Sequence, residues 1–149
     1  MLKRLRGIKM NLIENNTLEM QEVVREKVVE FGNSSLPSSI DTLPEASFGC
    51  YLYNDEEKVM GGITAHSFWN IMHIDFFWVD ESLRGQGQGK NLLIKMEKIA
   101  KREKCNVIHL ETFSFEAPRF YAKNGYQEFG KIGDVPVSGC DYFFFKKEI

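Results

Sequence analysis

The sequence has no apolar run near the roughly 20 residues that cross a bilayer as a helix, and little excess charge of either sign. Its 149 residues carry a formal net charge of −2, which predicts no basic surface for nucleic acid or an anionic membrane. Three cysteines, an odd number without a C-x-x-C pair, predict reduced thiols and neither a disulfide framework nor a zinc site. These absences favour a cytoplasmic protein with no membrane or nucleic-acid partner.

What the sequence does have is the composition of one globular domain. Hydrophobic residues make up 43% of the chain and aromatic residues 13%, enough to build a core at this length. Residues 1–9 hold four basic side chains and no acid, and they lack the apolar segment of a signal peptide. We interpret residues 1–9 as a basic lead-in, with Met10 as an alternative start, and predict a single domain over residues 10–149.

The chain is organised around the stretch from Ile71 to Lys104. It opens with Ile71–Val79, an aromatic and β-branched run typical of a strand buried on both faces. It ends with an amphipathic helix in which Leu92, Met96, Ile99 and Glu103 mark one line, widened by Leu93 and Ala100. Between strand and helix, three glycines stand at alternate positions, Gly85, Gly87 and Gly89. A strand, a glycine-rich turn and a helix N-terminus bring free backbone N–H groups together, an arrangement that binds phosphate.

Two common phosphate loops are excluded by what this turn lacks. A P-loop requires a glycine five residues before Gly89, where Arg84 stands, and a hydroxyl residue after Lys90, where an asparagine stands. A dinucleotide fingerprint, G-x-G-x-x-G, fails because counting on from Gly85 and Gly87 reaches Lys90 instead of a third glycine. The turn reads R-x-x-G-x-G instead.

A second motif lies downstream, in the run A-P-R-F-Y-A-K-N-G-Y from Ala117 to Tyr126. The two motifs resemble the R/Q-x-x-G-x-G/A loop and the A-x-x-F-Y-x-K-x-G-F/Y segment of the GNAT superfamily of N-acetyltransferases. They stand in the family's order with a predicted strand between them, which chance produces far less often than either motif alone. The resemblance extends from about Met10 to the end of the chain.

The element signals and the resemblance together predict an α+β, GNAT-like fold. The sheet is mixed and mostly antiparallel, with about six to seven strands flanked by helices and a central parallel β-loop-α-β unit. Strands are predicted at Lys9–Ile13, Phe48–Tyr53, Lys58–His66, Ile71–Val79, Asn106–Thr112, Tyr126–Ile132 and Asp141–Lys147. Besides the helix after the glycines, helices are predicted from a cap at Asn15–Thr17 to Gly32 and over Ala117–Lys123.

The reaction that the resemblance implies moves an acetyl group from acetyl-CoA, a co-substrate, to a primary amine without a metal. Transfer is direct, within a ternary complex, and the acceptor is a small amine or a peptide amine. Two alternatives stay open: an acyl-CoA-binding sensor or interaction module without turnover, and an acyl-enzyme route through Cys140 or Cys50. The sequence leaves a homodimer open as well.

The family pattern also implies which residues hold the coenzyme. Backbone N–H groups of the glycine turn bind the pyrophosphate, with Arg84 forming the loop or contacting phosphate. Main-chain groups near the end of the strand at Val79 meet the pantetheine arm and the thioester oxygen. Ser114 stands where the family commonly has an asparagine that holds the pantetheine amide. The implied coenzyme-binding residues are Phe77, Trp78, Val79, Arg84, Gly85, Gln86, Gly87, Gln88, Gly89, Lys90, Ser114 and Tyr121.

Catalytic roles are implied for three residues. Tyr121 is the general acid, because an unperturbed phenol with a pKa of about 10 holds its proton at neutral pH and can donate it to the departing thiolate. The acceptor amine arrives protonated, so a base is also needed. Asp75 is the first candidate, in a run resembling the family's I-E-x-L-x-V strand, and Glu111 on the next strand is the rival. The three histidines, His66, His73 and His109, are interpreted as structural.

Overall fold

The computed structural model describes residues 10–37 and 44–149. The chain divides into two compact units, Met1–Thr42 and Leu43–Ile149. The predicted basic lead-in lies outside the described residues. The extent of a single domain over residues 10–149 stays a prediction.

The first unit contains helix α1, Leu18–Ser35. Thr17 caps it, in the predicted place, and its side-chain oxygen accepts a first-turn N–H at 3.4 Å. The helix runs past Gly32, contrary to the predicted end, and its final serine hydroxyls donate to a carbonyl oxygen one turn earlier. The predicted strand over Lys9–Ile13 is wrong in its described part, since residues 10–17 have no regular secondary structure. A run of five residues is stable as a strand only when it pairs with a neighbouring strand, and the sequence of the run does not show whether such a pairing forms.

The second unit is built on one sheet, which has six strands in the described part of the chain, in the order β1-β2-β3-β4-β6-β5. The strands are β1 Ala46–Tyr53, β2 Val59–Phe68, β3 Ile71–Val79, β4 Val107–Phe113, β5 Gln127–Gly133 and β6 Asp141–Glu148. Neighbouring strands are antiparallel except β3 and β4, which are parallel. The predicted α+β class, with a mostly antiparallel sheet and one central parallel pair, is confirmed.

Helix α2, Gln88–Arg102, connects β3 to β4, and the short helix α3, Pro118–Lys123, follows β4. One face of the sheet packs against α2, which buries the apolar positions predicted from its periodicity, Leu92, Leu93, Met96, Ile99 and Ala100. The sheet contributes Ile63, Ala65, Met72, Ile74, Ile108 and Leu110 to the same core. None of the helices among the described residues combines the length and apolar character needed to cross a bilayer.

Strand β3 departs from its prediction, because it is not buried on both faces. The side chains of Phe76 and Trp78 are 78% and 49% exposed. The cause is a β-bulge: Ala65 of β2 pairs with Ile74 and Thr64 pairs with Phe76, which leaves Asp75 as the extra residue. The bulge reverses the inside–outside alternation of β3, so its aromatic run is divided between the two faces of the sheet.

Candidate active site

The parallel strands β3 and β4 separate soon after they meet. They pair only from Ile71 to His73 on β3 and from Val107 to His109 on β4. Within the described residues, both strands continue beyond this point without pairing to each other, β3 to Val79 and β4 to Phe113. The bulge lies where the pairing stops, and bulges bend and twist the strand that carries them. The facing edge of β3 therefore offers backbone N–H and C=O groups to a ligand in the gap.

The glycine turn lies beyond the end of β3. A short 3₁₀ turn, Glu81–Leu83, leads to Gly85 and Gly87, whose φ angles are +74° and +80°. Gly87 is the N-cap of α2 and supplies no side-chain hydrogen bond, so the first-turn N–H groups keep no partner within the helix. A Cβ atom at Gly85 or Gly87 would meet nothing within 4 Å. The turn is an open cradle of N–H groups at the positive end of a helix dipole.

Two polar side chains of the loop fix its shape. The Arg84 Nε donates to the Val79 carbonyl oxygen at 3.3 Å, and the Gln86 Nε2 donates to the Ser82 carbonyl oxygen at 2.7 Å. Of the two roles the sequence suggests for Arg84, these contacts favour forming the loop. The hydrogen bond between Arg84 and Val79 ties the phosphate cradle to the end of β3.

Tyr121 lies on α3, next to the part of β3 that lines the gap. Its side chain is only 6% exposed, and its ring centroid is 6.3 Å from that of Phe77. Burial, together with the nearby Glu116 carboxylate, raises the pKa of the Tyr121 phenol well above its usual value of 10. The phenol is therefore fully protonated at neutral pH, the state that a general acid requires.

A network of histidines and carboxylates lies where β3 and β4 separate. The Asp75 Oδ1 is 2.7 Å from the His66 Nδ1 and 2.9 Å from the His73 Nδ1. The other ring nitrogen of His73, Nε2, is 2.6 Å from the Glu111 Oε2, and His109 Nδ1 lies 3.9 Å from the Glu111 Oε1. The two predicted base candidates, Asp75 and Glu111, are thus joined through His73. We name these five residues the proton network.

The pKa values of His73 and His109 shift in opposite directions. Burial lowers the pKa of His73, but hydrogen bonds and charge from Glu111 and Asp75 outweigh it, and the net pKa is raised. Because both ring nitrogens face carboxylates, the doubly protonated imidazolium is the favoured form. Burial lowers the pKa of His109, and the neighbouring His73 lowers it further. The fold therefore favours a protonated His73 between two carboxylates and a neutral His109.

The interpretation of the histidines as isolated structural residues missed this network. His66 on β2 is the register partner of His73, and His73 is the register partner of His109 on β4. Three histidines therefore form a straight row across three strands. One signal was available: a two-residue hairpin turn at Trp69-Asn70 places His66 opposite His73, and Trp69 does adopt the left-handed conformation with φ +50°.

The donor atoms of the network also have the types that a transition metal takes. His66, His73 and Asp75 form one group with donor atoms within 4.8 Å of one another, and His73, His109 and Glu111 form a second. In the first group both histidines share hydrogen bonds with Asp75, and in the second His73 shares one with Glu111 while the His109 Nδ1 lies 3.9 Å from that carboxylate. We assign no metal to them, and metal-free transfer stays a prediction.

A cavity of about 490 Å³ adjoins the network on the β1 side. Its lining includes Glu45, Ser47, His66, Ser67 and Asp75. The Asp75 carboxylate in this lining is already paired with His66 and His73. The cavity is therefore a polar pocket beside the proton network, of a size that fits a small polar acceptor.

The remaining predicted residues occupy different places along the gap. Phe77 packs against Phe120 with ring centroids 5.6 Å apart, so only its main chain faces the gap. The Ser114 hydroxyl accepts the Asp141 N–H at 3.1 Å, which leaves its proton free to donate. Burial raises the pKa of the Cys50 thiol, and the protonated thiol is a poor nucleophile. The Cys50 acyl-enzyme route is thereby disfavoured.

A gap between parallel strands, a glycine turn at a helix N-terminus beyond it and titratable side chains where the strands meet are compatible with an acyltransferase. The family model described as the Acetyltransferase (GNAT) family matches residues 18–126. A relative from Streptomyces morookaense, named blasticidin-S acetyltransferase, is 33% identical over 109 residues, which are 72% of this chain and 80% of that protein. The chain belongs to the GNAT acetyltransferase family and is an acyltransferase.

Solved structures agree with this assignment. The crystal structure of an acetyltransferase from Bacillus cereus ATCC 14579 superposes with a TM-score of 0.85 at 40% identity, over 93% of this chain and 98% of that one. A crystal structure of an aminoglycoside 6′-N-acetyltransferase complexed with coenzyme A gives a TM-score of 0.61 at 16% identity, over 68% of this chain and 72% of that one. At that identity the second similarity shows the fold alone.

Proposed function

We propose that this acyltransferase moves the acetyl group of acetyl-CoA to a primary amine by direct transfer within a ternary complex. The observation that carries the proposal is the gap between β3 and β4. One end of the gap opens at the glycine cradle, and the other end meets the carboxylates of Asp75 and Glu111. A coenzyme thioester held at the cradle and an amine held at the carboxylates would meet on the same two strands.

In this proposal the coenzyme is held mainly by backbone. The N–H groups from Gln86 to Lys90 bind the pyrophosphate, and the pantetheine arm follows the free edge of β3. A main-chain N–H near Val79 donates to the thioester oxygen and stabilises its negative charge in the tetrahedral intermediate. The Ser114 hydroxyl donates to a pantetheine amide, in the role that an asparagine commonly has in the family.

Transfer then requires that a C–N bond forms, that the thioester C–S bond breaks and that two protons leave the amine. A carboxylate first takes the proton with which the amine arrives, and the neutral nitrogen then attacks the thioester carbon. The C–S bond breaks as the tetrahedral intermediate collapses. The Tyr121 phenol gives its proton to the departing thiolate, and the second proton of the nitrogen restores the phenol. We assign that carboxylate to Asp75, because it both lines the cavity and belongs to the proton network. Asp75→Asn should then lower kcat more than Glu111→Gln, and the reverse order would transfer the role to Glu111.

The acceptor follows from the polar lining of the cavity. Glu45 and Asp75 line it, and an amine can donate hydrogen bonds to their carboxylates. The name of the Streptomyces morookaense relative refers to blasticidin S, an antibiotic, so cationic antibiotic amines are the first acceptors to test. The reaction is placed in the cytoplasm, where acetyl-CoA is available.

Thiol release from acetyl-CoA across antibiotic amines, polyamines and peptide N-termini tests the proposal. We expect release above the background without amine, and initial-rate lines that intersect when both substrates are varied. Parallel lines and a covalent acetyl-protein adduct would instead show an acyl-enzyme route. Heat stabilisation by coenzyme A without release from any amine would indicate a coenzyme-binding module without turnover.

A further inference from the structure

Four aromatic side chains form a continuous row where β4 ends and β6 begins: Phe115, Phe113, Tyr142 and Phe144. The rings of Phe115 and Phe113 are stacked, with centroids 5.1 Å apart and planes 7° apart. The centroid of Phe113 lies 4.5 Å from that of Tyr142, which lies 5.2 Å from that of Phe144. These spacings are those of rings in direct contact. We call these four residues the aromatic row.

The register places the aromatic row on the same face of the sheet as the proton network. Phe113 pairs with Tyr142, and Glu111 pairs with Phe144. Direct cross-strand partners share a face, and residues two apart on one strand share it too. Thr112 alternates with them and is buried on the α2 side, at 3% exposure. Glu111 therefore lies beside Phe144 and also contacts His73, so the aromatic row and the proton network form one continuous surface.

The row offers ring faces beside a carboxylate. Phe115 is 63% exposed, and the other three side chains are partly exposed. The register places Glu111 opposite Phe144, two residues from Tyr142 on the same face, so one carboxylate adjoins the row. Accessible apolar surface beside convergent polar groups is the composition of a ligand site. A ligand that complements both features has a flat ring and a cationic group.

We infer that the acceptor is an amine joined by a short link to a flat aromatic ring, which stacks on the aromatic row while the amine reaches the Glu111 carboxylate. The inference rests on the proposed amine transfer and names its substrate class. Ring faces attract both other rings and cations, so an aryl amine gains twice from the row. An aliphatic polyamine would meet the same carboxylate but would gain no stacking.

Two matched amines test the inference, 2-phenylethylamine and 2-cyclohexylethylamine. They share the amine and the linker and differ in whether the ring is flat. The unaltered protein should favour the phenyl compound in kcat/KM by about 3- to 10-fold, the size of one stacking contact. Tyr142→Leu and Phe113→Leu should each reduce this preference toward parity. Phe68→Leu, which removes a ring 36% exposed at the opposite end of the sheet, should preserve it.

The outcomes separate this inference from the function on which it rests. Equal use of both amines by the unaltered protein, or a preference that survives both row variants, would overturn the aromatic acceptor. If the protein acetylates spermidine and uses the two ring amines equally, the proposed amine transfer stands and the aromatic acceptor does not. Silence with every amine would overturn the proposed transfer and the aromatic acceptor together.

Discussion

At the scale of single residues, the Tyr121 hydroxyl gives the sharpest prediction. Burial and Glu116 hold its pKa high, so the phenol keeps its proton at neutral pH and is a hydrogen-bond donor where the thiolate departs. We expect Tyr121→Phe to lower kcat by about 100-fold, the lower range for loss of a general acid. Coenzyme A affinity should stay nearly unchanged, because the ring that packs against Phe77 and Phe145 remains. Thiol-release kinetics and calorimetric titration measure the two quantities.

Tyr126→Phe is the matched control for that variant. Tyr126 is buried like Tyr121, its pKa is also raised by burial, and the two ring centroids are 5.9 Å apart. Removing its hydroxyl should leave kcat in place. Equal losses in the two variants would trace the effect to core packing, and normal turnover in Tyr121→Phe would remove Tyr121 from the acid role.

His73 makes a prediction about stability against pH. Its pKa in the folded protein is raised above the ordinary value of 6.5, so its contribution is complete below pH 6.5 and is lost as pH rises through the folded pKa. His66, Asp75, His109 and Glu111 face it, and each keeps its place in the variant His73→Gln. The melting temperature of this variant should fall furthest below that of the unaltered protein near about pH 6, and the difference should shrink toward about pH 9.

His109→Gln should show the opposite pH dependence. The pKa of His109 is lowered in the folded protein, so His109 penalises folding only as pH falls below the ordinary value of 6.5. Removing it should relieve this penalty at low pH and change little above pH 7. A His73→Gln effect that is the same at every pH would show packing loss instead of a charged His73.

At the scale of elements, the glycine cradle can be tested with two glycines of the same backbone shape. Gly87 and Gly139 have φ angles of +80° and +84°, and a Cβ at either would meet nothing within 4 Å. Valine should strain both positions alike, by about 1–2 kcal/mol, and lower the melting temperature similarly. Only Gly87→Val should weaken coenzyme A binding, because only that side chain would occupy the phosphate cradle. Normal affinity in Gly87→Val would refute the cradle.

The elements also show what the sequence could predict. The buried positions of helix α2 could be predicted, because apolar residues recur in its sequence with the 3.6-residue period of a helix. The faces of β3 could not, because a bulge at Asp75 shifts every later side chain to the other face without altering the composition of the strand. The end of α1 was placed too early, since a glycine followed by polar residues resembles a helix stop even where the helix continues.

At the scale of the whole molecule, one part of the site could be predicted from the sequence and another part could not. The shape of the glycine turn was predicted because all of its residues are contiguous, from Arg84 to Lys90, and its binding of phosphate stays a prediction. The proton network was not predicted, because its members come from three strands and meet only through their register. Asp75 and Glu111 were each named as a candidate base, yet nothing in the sequence shows that His73 joins them. A site made of contiguous residues can be predicted from the sequence, whereas a site whose residues come from different strands can be found only once the strand pairing is known.

The last prediction concerns the gap between β3 and β4, where we expect the coenzyme to form hydrogen bonds with backbone amides. Residues 74–79 of β3 have no ladder to β4, whereas β4 pairs along its length with β6. Residues 74–79 pair with β2 on their other edge, so only the alternate amides that face the gap lack a cross-strand partner. Such amides exchange readily with solvent, and a ligand that bonds them slows exchange. Coenzyme A should therefore slow hydrogen exchange in residues 74–79 and 86–90 and leave β5 unchanged. Protection confined to residues 86–90 would mean that the pantetheine arm does not follow β3, and uniform protection would reflect global stabilisation alone.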